Sequence, residues 1–256
     1  MPRWPDHLSD PDRIKIARAR TDKLIDHIIE IFAMHEANTI VVYSPRIASQ
    51  IPPSRAAAAF RRMQTSQLLF ELIRLCALWD SPREDRESIP TILELLNKPE
   101  IVDRVVAEKH ARFANDVFPR DQNPQQDPEI EEAKKAWWLD YRARRADQEA
   151  QTTRRQLQEA VDRAAQVRSG SYLNAMRGFR DAHVAHNLDA PKRIEAAKGL
   201  RHGDERRLLR ETVKIADRLH RALHNTSFTW LNSRRMARRE ARALWTGCTF
   251  DIDPRA

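Results

Sequence analysis

The sequence predicts an all-α protein, and two observations carry that prediction. The chain of 256 residues has only five glycines, and none of them lies in the first 169 residues. Sheet-rich folds need tight turns of the kind that glycine and Asn-Gly pairs form, and none is visible. Long segments rich in Ala, Arg, Glu and Leu instead alternate with prolines, which is typical of helices separated by loops. We expect a single helical domain over residues 1–256, with a sizeable core.

Start signals, apolar spacing and prolines indicate where the first helices lie. Ser9 to Asp12 reads as a capped start of a helix that runs to about Ala37. The β-branched run from Thr39 to Tyr43 has no partner strand, so we expect it to continue the helix or to form a buried connector. Ser54 begins a helix with a broad apolar side that ends at Asp80, and we expect this helix to be the central core helix. Ser88 then restarts the chain into a short helix.

The second half of the chain contains a helix of unusual length. Residues 119–128 read as a proline-bearing linker. From Glu129 to about Arg168 the helical pattern is uninterrupted, but its middle third has no large apolar residue. A helix that is polar all round projects into solvent or packs on something outside the chain. Gly170 interrupts the pattern, and we expect an antiparallel helix hairpin over about residues 129–187.

Positive charge is concentrated near the C-terminus. The net charge is +8, and residues 191–246 hold 15 basic but only 6 acidic side chains. We expect two helices in this segment, the second over Ser227 to Trp245. A localised basic field attracts polyanions such as nucleic acid, although an Arg-rich, solvated helix face gives the same composition. The residues expected to contact RNA are Arg234, Arg235, Arg238 and Arg239.

Several classes of protein are disfavoured by the sequence. Cys76 and Cys248 are far apart, which excludes a disulfide framework and favours a reducing compartment. The histidines of other segments, among them His220 and His224, show no spacing that argues for a metal, so we expect no metal and no cofactor. No apolar run approaches the ~20 residues that cross a bilayer, and no export segment is visible. We therefore expect a cytoplasmic protein without a membrane partner.

The candidate site lies in a predicted helix from Ser171 to Asn187. An apolar face ends in two imidazoles, because Phe179, His183 and His186 follow one another at spacings of four and three. Arg180 lies about 100° round the helix from Phe179. Histidine is the natural acid and base near neutral pH, and arginine binds phosphate oxygens as a fork. Such a helix can hold a phosphate and move a proton, which RNA hydrolysis without a metal requires.

The geometry of a single helix favours a site that two copies of the chain share. One helix rarely supplies an acid and a base on opposite sides of a phosphate, whereas two copies facing each other across a two-fold axis do. The structural alternative is that His183 and His186 are half-buried helix-end residues bonded to backbone or carboxylate groups. In that case Asp181 pairs with Arg177 one turn earlier, a contact worth only ~0.2–0.5 kcal/mol.

Arg180-Asp181, followed after four residues by His186, resembles the motif of HEPN-domain proteins, in which four to six residues separate an arginine from a histidine. The helical layout, including LIRLCALWD followed by IPTILELL, is similar to the abortive-infection U-type branch of that family. The likeness covers about Arg13 to Leu223. It implies an all-α antiparallel bundle that dimerises through the motif helix, and in active members a composite, metal-independent ribonuclease site.

The resemblance also implies roles for individual residues. Arg180 would hold the scissile phosphate, Asp181 would occupy the polar position after it, and His186 would be the acid or base. His183 is an additional imidazole that the motif does not require, so either histidine is a candidate for the proton transfer. The resemblance further implies RNA as the substrate, a homodimer, a role as a toxin or phage-defence effector, and an antitoxin or a nucleotidyltransferase as a candidate partner.

Two alternative functions stay open at this point. Some members of the HEPN family have lost catalysis, so the chain could be a helical module that binds a nucleotide or a partner protein. The polar centre of the long helix, Arg142 to Gln156, would then be its contact surface. A DNA-binding regulator that uses the Arg-rich C-terminal helix is the third hypothesis, and it predicts duplex binding that weakens steeply with salt.

Overall fold

The computed structural model describes residues 4–117, 128–185 and 199–252. Within these ranges the chain forms helices joined by turns and loops, without a β-strand, which confirms the predicted fold class. The helices are α1 (Asp10–Val41), α2 (Pro45–Ala48), α3 (Arg55–Ala77), α4 (Ile89–Leu95), α5 (Pro99–Ala114), α6 (Pro128–Ser169), α7 (Ser171–Arg180), a π-helical turn (Asp181–Ala185), α8 (Asp204–His224) and α9 (Trp230–Trp245).

Three helix starts use the serines that the sequence indicates. Ser9, Ser54 and Ser88 precede α1, α3 and α4, and each serine Oγ accepts a hydrogen bond from the backbone N–H three residues further on. Such a cap pairs an N–H group that has no partner within the helix, and is worth about 1 kcal/mol. The β-branched run after Ala37 continues α1 as far as Val41 instead of forming a strand.

Helix α1 is the centre of the bundle. It packs against α3, α4, α5, α8 and α9, and its inward side is buried from Ile14 to Ile31. The prediction that α3 is the central helix is wrong, because its burial is confined to the residues between Glu71 and Cys76. The apolar side chains of α3 are spread round the helix rather than along one face. Phe70, for example, is 55% exposed.

Buried polar side chains fix how the neighbouring helices lie on α1. Glu71 of α3 is 1% exposed and binds two α1 side chains, His35 through Nδ1 at 2.7 Å and Asn38 through Nδ2 at 2.6 Å. Arg13 of α1 is fully buried and donates from Nε to the carbonyl oxygen of Leu95 at 2.9 Å, at the end of α4. Leaving one of these groups unpaired would cost about 1–3 kcal/mol, so the pairs define the register of the bundle.

The long helix α6 runs antiparallel to α5 and also packs along α8. Ion pairs connect α5 with the polar middle of α6: Asp103 lies 2.6 Å from Arg154, and His110 lies 3.2 Å from Asp147. The middle of α6 was expected to face solvent or an outside partner. That expectation is wrong for the side of α6 that faces α5. After Gly170 the chain continues into α7, which contacts α3 and α8 as well as α6.

Candidate functional site

The helix that carries the candidate site changes its geometry at Arg180. The segment is α-helical up to that residue, and Asp181–Ala185 forms a π-helical turn. The prediction of one α-helix through Asn187 is therefore wrong at this turn. In a π-helix the hydrogen bonds join residues five apart, and such turns are frequent at functional sites. Gly178, a weak helix former, lies just before the change. His186 and Asn187 lie outside the described residues.

Arg180 contacts the side chain of Asp80, in the segment that follows α3. Its Nε donates to Asp181 Oδ1 at 2.8 Å, and its Nη1 donates to Asp80 Oδ1 at 3.4 Å. Burial acts to lower the pKa of Arg180, but the hydrogen bond and charge of Asp181, with a contribution from Asp80, raise this pKa above its ordinary value. The hydrogen bonds of Arg180 to described residues use only Nε and Nη1.

Asp80 and Asp181 bring two carboxylates to the guanidinium, and neighbouring arginines offset them. Nη1 of Arg86 lies 4.0 Å from the second carboxylate oxygen of Asp80. Arg177 donates a hydrogen bond to the backbone carbonyl directly before Asp80, and Asp181 pairs with Arg180 instead of with Arg177. Three guanidiniums thus surround two carboxylates, which leaves a net positive charge for binding an anion.

The imidazole of His183 is held by the preceding turn of the helix. Its Nδ1 lies 3.0 Å from the carbonyl oxygen of Phe179, and the two rings stack with centroids 4.0 Å apart. A carbonyl oxygen only accepts hydrogen bonds, so Nδ1 carries the proton and Nε2 has the lone pair. His183 therefore combines a fixed ring with a nitrogen that can accept a proton, as a general base requires.

A cleft beside Asp80 contributes groups that sequence reasoning missed. It has a volume of about 210 Å³, and its lining includes His27 of α1, Arg74 of α3 and Arg86. Arg74 Nη2 lies 3.3 Å from Nδ1 of the His27 ring. Asp80, which also contacts Arg180, lines this cleft together with Asp85 and Glu87, so the charge of the cleft is mixed. No spacing along the sequence links these residues, so only the folded chain reveals them.

The four arginines expected to contact RNA divide into two pairs. Nε of Arg234 and Nε of Arg238 donate to the two carboxylate oxygens of Glu36 on α1, at 2.8 Å and 3.0 Å. Burial raises the pKa of this carboxyl, but both guanidiniums oppose burial and the net pKa is lowered. These two arginines hold α9 on α1. Arg235 and Arg239 are exposed and form no ion pair with any residue in the described ranges.

One set of side chains among the described residues has the composition of a metal site. Asp22 on α1 lies beside His220 and His224 on α8. We predicted no metal site from the sequence, yet the two histidines are four residues apart and so share one helix face. That spacing was a signal for two of the three residues, and it gave no indication of Asp22.

Comparison with known proteins identifies the family of the chain. The family model for AbiU2, a HEPN family, matches residues 15–244, a range that includes Arg180 and most of the helical bundle. No curated protein and no solved structure matches the chain. Among the described helices, none is both long enough and apolar enough to cross a bilayer. A HEPN domain of this kind suggests a ribonuclease-like or abortive-infection role. The chain therefore belongs to the AbiU2 family of HEPN-domain proteins.

Proposed function

We propose that this protein is a metal-independent endoribonuclease of the HEPN type, acting as a toxin or phage-defence effector. The observation that supports this most strongly is the pair of groups at the end of α7. Arg180 offers a charged guanidinium whose Nη2 makes no hydrogen bond to a described residue, and His183 offers an imidazole with a basic Nε2. Phosphodiester cleavage without a metal needs both a proton acceptor and a fixed positive charge.

The proposed reaction begins with attack of the RNA 2′-hydroxyl on the adjacent phosphorus. A histidine, His183 through Nε2 or His186, removes the proton of this hydroxyl as the new P–O bond forms. Arg180 stabilises the extra negative charge on the phosphorane oxygens. The 5′-oxygen then leaves and takes a proton from a second imidazole. The products are a 2′,3′-cyclic phosphate and a 5′-hydroxyl end.

The need for a second imidazole favours a site that two subunits share. The acid and the base must flank the phosphorus in line, and neighbouring residues of one helical turn face the same side of a bound phosphate. Two copies of the π-helical turn, related by a two-fold axis, would supply groups on both sides. Helix α3, which contacts α7, carries the exposed Phe70 and so offers some apolar surface for a second subunit.

A ribonuclease assay in EDTA tests the proposal. We expect the wild type to cleave RNA, and Arg180→Ala and His186→Ala to lower the rate by about 10²–10⁴-fold. His183→Ala separates the two imidazoles, because the variant with the larger loss identifies the acid or base. Arg155→Ala and His110→Ala are matched controls that remove exposed ion-pair partners elsewhere, and they should cleave at the wild-type rate. Cleavage that is equal in all proteins, or absent from all, removes the catalytic claim.

A second candidate function is a non-catalytic module that binds a partner protein or a nucleotide. The first third of α6 favours it, because Ile130, Trp137 and Leu139 are 51%, 60% and 51% exposed. Exposed large apolar side chains in one region are typical of interaction surfaces. Under this hypothesis expression of the wild type is harmless. Trp137→Ser would then weaken the affinity for the partner, while Arg180→Ala would leave it unchanged.

A further inference from the structure

We propose that Asp22, His220 and His224 bind one divalent transition-metal ion of the zinc class, at the contact between α1 and α8. The set lies on elements other than α7 and includes no residue of the proposed ribonuclease site. Its predicted effect is on the stability of the bundle, so it can be tested without reference to RNA cleavage.

The three side chains are already close to the spacing of metal ligands. The rings of His220 and His224 stack with centroids 4.8 Å apart. Asp22 Oδ1 lies 3.2 Å from His224 Nε2, and one ligand atom from each of the three residues lies within 4.8 Å of the others. Zinc binds nitrogen and oxygen at about 2.0–2.2 Å, so tetrahedral ligands lie roughly 3.3 Å apart. The ligand atoms must therefore approach one another by up to about 1.5 Å to reach that geometry.

A hydrogen bond to a backbone carbonyl fixes the tautomer of His220, as it does for many metal-binding histidines. Nδ1 of His220 donates to the carbonyl oxygen of Thr226 at 3.0 Å, which leaves the lone pair on Nε2. Metal-binding histidines commonly donate their other ring N–H to a carbonyl or carboxylate, which fixes the ring and raises its basicity. This carbonyl is placed by the backbone that ends α8, where Asn225 adopts a left-handed conformation with φ 62°.

The nitrogen of His224 faces two oxygen atoms of α1. Besides Asp22, its Nε2 lies 3.3 Å from the carbonyl oxygen of Arg18. In the metal-free protein, Nε2 donates its proton to the carbonyl oxygen of Arg18. A metal ion that replaces this proton meets the imidazole nitrogen and the carboxylate together, and the proton passes to solvent. The ion then links α1 to the C-terminal end of α8.

The donor set decides the class of ion. Two imidazoles and one carboxylate suit zinc and similar ions, whereas magnesium and calcium take mainly oxygen ligands. Three protein ligands leave one tetrahedral position for water. Because the unfolded chain does not hold these residues together, binding favours the folded state.

Cobalt(II) is the probe for this site, because its visible absorption reports coordination. The full-length protein is stripped with EDTA, dialysed and titrated with Co²⁺ alone. We expect visible absorption that saturates at one ion per chain and is displaced by Zn²⁺. Asp22→Asn and His220→Gln should each lower the Co²⁺ affinity at least about tenfold. Zn²⁺ in excess should raise the thermal midpoint of the wild type by several degrees, and of these variants by less.

His110→Ala is the matched control, because His110 lies 3.2 Å from Asp147 but has no second imidazole in its pair. It should bind Co²⁺ as the wild type does. Asp22 is exposed, so Asp22→Asn tests the site without disturbing the core. Absence of Co²⁺ absorption from the folded wild type overturns the proposal. Unchanged Co²⁺ affinity in Asp22→Asn and His220→Gln also overturns it, because the ion then binds elsewhere.

Discussion

Single charged residues connect parts of this chain that are far apart in sequence. Arg180 reaches Asp80, and Arg234 and Arg238 reach Glu36. In both places a carboxylate near the end of one helix receives guanidinium groups from another part of the chain. Charged pairs of this kind contribute to stability when one partner is buried, and their loss leaves the other partner without compensation.

Glu36 is the buried member of the α1–α9 contact. We expect Glu36→Gln to destabilise the protein by about 1–3 kcal/mol at pH 7, because two guanidiniums lose their charged acceptor. The pKa of Glu36 is lowered on folding from an ordinary value of 4.5. Its contribution is therefore present above pH 4.5 and is lost as the pH falls through the lowered pKa.

Urea unfolding at pH 7 and below pH 4 measures this contribution. The stability difference between the wild type and Glu36→Gln should be large at pH 7 and should shrink on acidification. Glu240→Gln, which changes an exposed carboxylate on α9, is the control and should have little effect. A difference between the wild type and Glu36→Gln that is the same at both pH values would contradict the ion-pair interpretation.

Cys76 lies in the core next to the candidate site and should be chemically inert. Burial raises the pKa of its thiol to about 11, against the opposing charges of Arg180 and Arg177. Because the thiolate is the reactive form, we expect Cys76 to resist alkylation at pH 8 while the half-buried Cys248 reacts. A thiol titration should count one fast group in the native protein and two in urea. Two fast thiols in the native protein would show that the end of α3 opens.

At the scale of elements, the end of α3 positions both α7 and α8. The indole of Trp79 is fully buried and donates from Nε1 to Thr212 Oγ1 on α8 at 2.9 Å. The carbonyl of the same residue accepts from Arg177 of α7, and the next residue accepts from Arg180. The position of the candidate site therefore depends on the packing of Trp79.

Thr212→Val tests this junction. The change keeps the shape of the side chain but leaves the Trp79 N–H without an acceptor, so we expect a loss of about 1–3 kcal/mol. Thr212→Ser keeps the hydroxyl and should be more stable than Thr212→Val, as measured by urea unfolding. Equal stability of the two variants would show that this hydrogen bond contributes little.

Helix boundaries were predictable where the signal acts within a few residues. Serine caps at Ser9, Ser54 and Ser88 gave the starts of three helices, because a cap bonds to an N–H only three residues away. The π-helical turn was not predictable from an α-helical spacing rule, because the rule assumes that the helix keeps one geometry. The central position of α1 depends on contacts with five other helices, which no single segment records.

The sequence proposes the residues of the candidate site but does not indicate their surroundings. Arg180, Asp181 and His183 are close in sequence, so helical spacing and the family resemblance single them out. The contact of Arg180 with Asp80 spans 100 residues, and the cleft around His27 joins different helices. Such contacts follow from packing of the whole bundle, and local patterns do not encode them.

At the scale of the whole molecule, the basic C-terminal segment should bind single-stranded RNA through its exposed arginines. We expect Arg235→Gln and Arg239→Gln to weaken binding and to lower the salt dependence, by about 0.7 in the log–log slope for each lost phosphate contact. Arg234→Gln is the matched comparison. This change removes the ion pair between Arg234 and Glu36, so it should reduce the stability of the protein. Fluorescence anisotropy at several salt concentrations measures the slope, and an unchanged slope would contradict phosphate binding by these arginines.

The central claim is that two subunits share one catalytic site, and cleavage by mixed dimers tests it most directly. Wild-type subunits and subunits in which Arg180, His183 and His186 are all replaced by alanine are co-expressed with different tags, and the mixed dimer is purified through both tags, together with each parent dimer. A shared site needs groups from both subunits, so the mixed dimer should cleave RNA in EDTA at least about tenfold more slowly than the wild type. A mixed dimer that keeps about half of the wild-type rate would contradict the claim, because each subunit would then hold a complete site of its own.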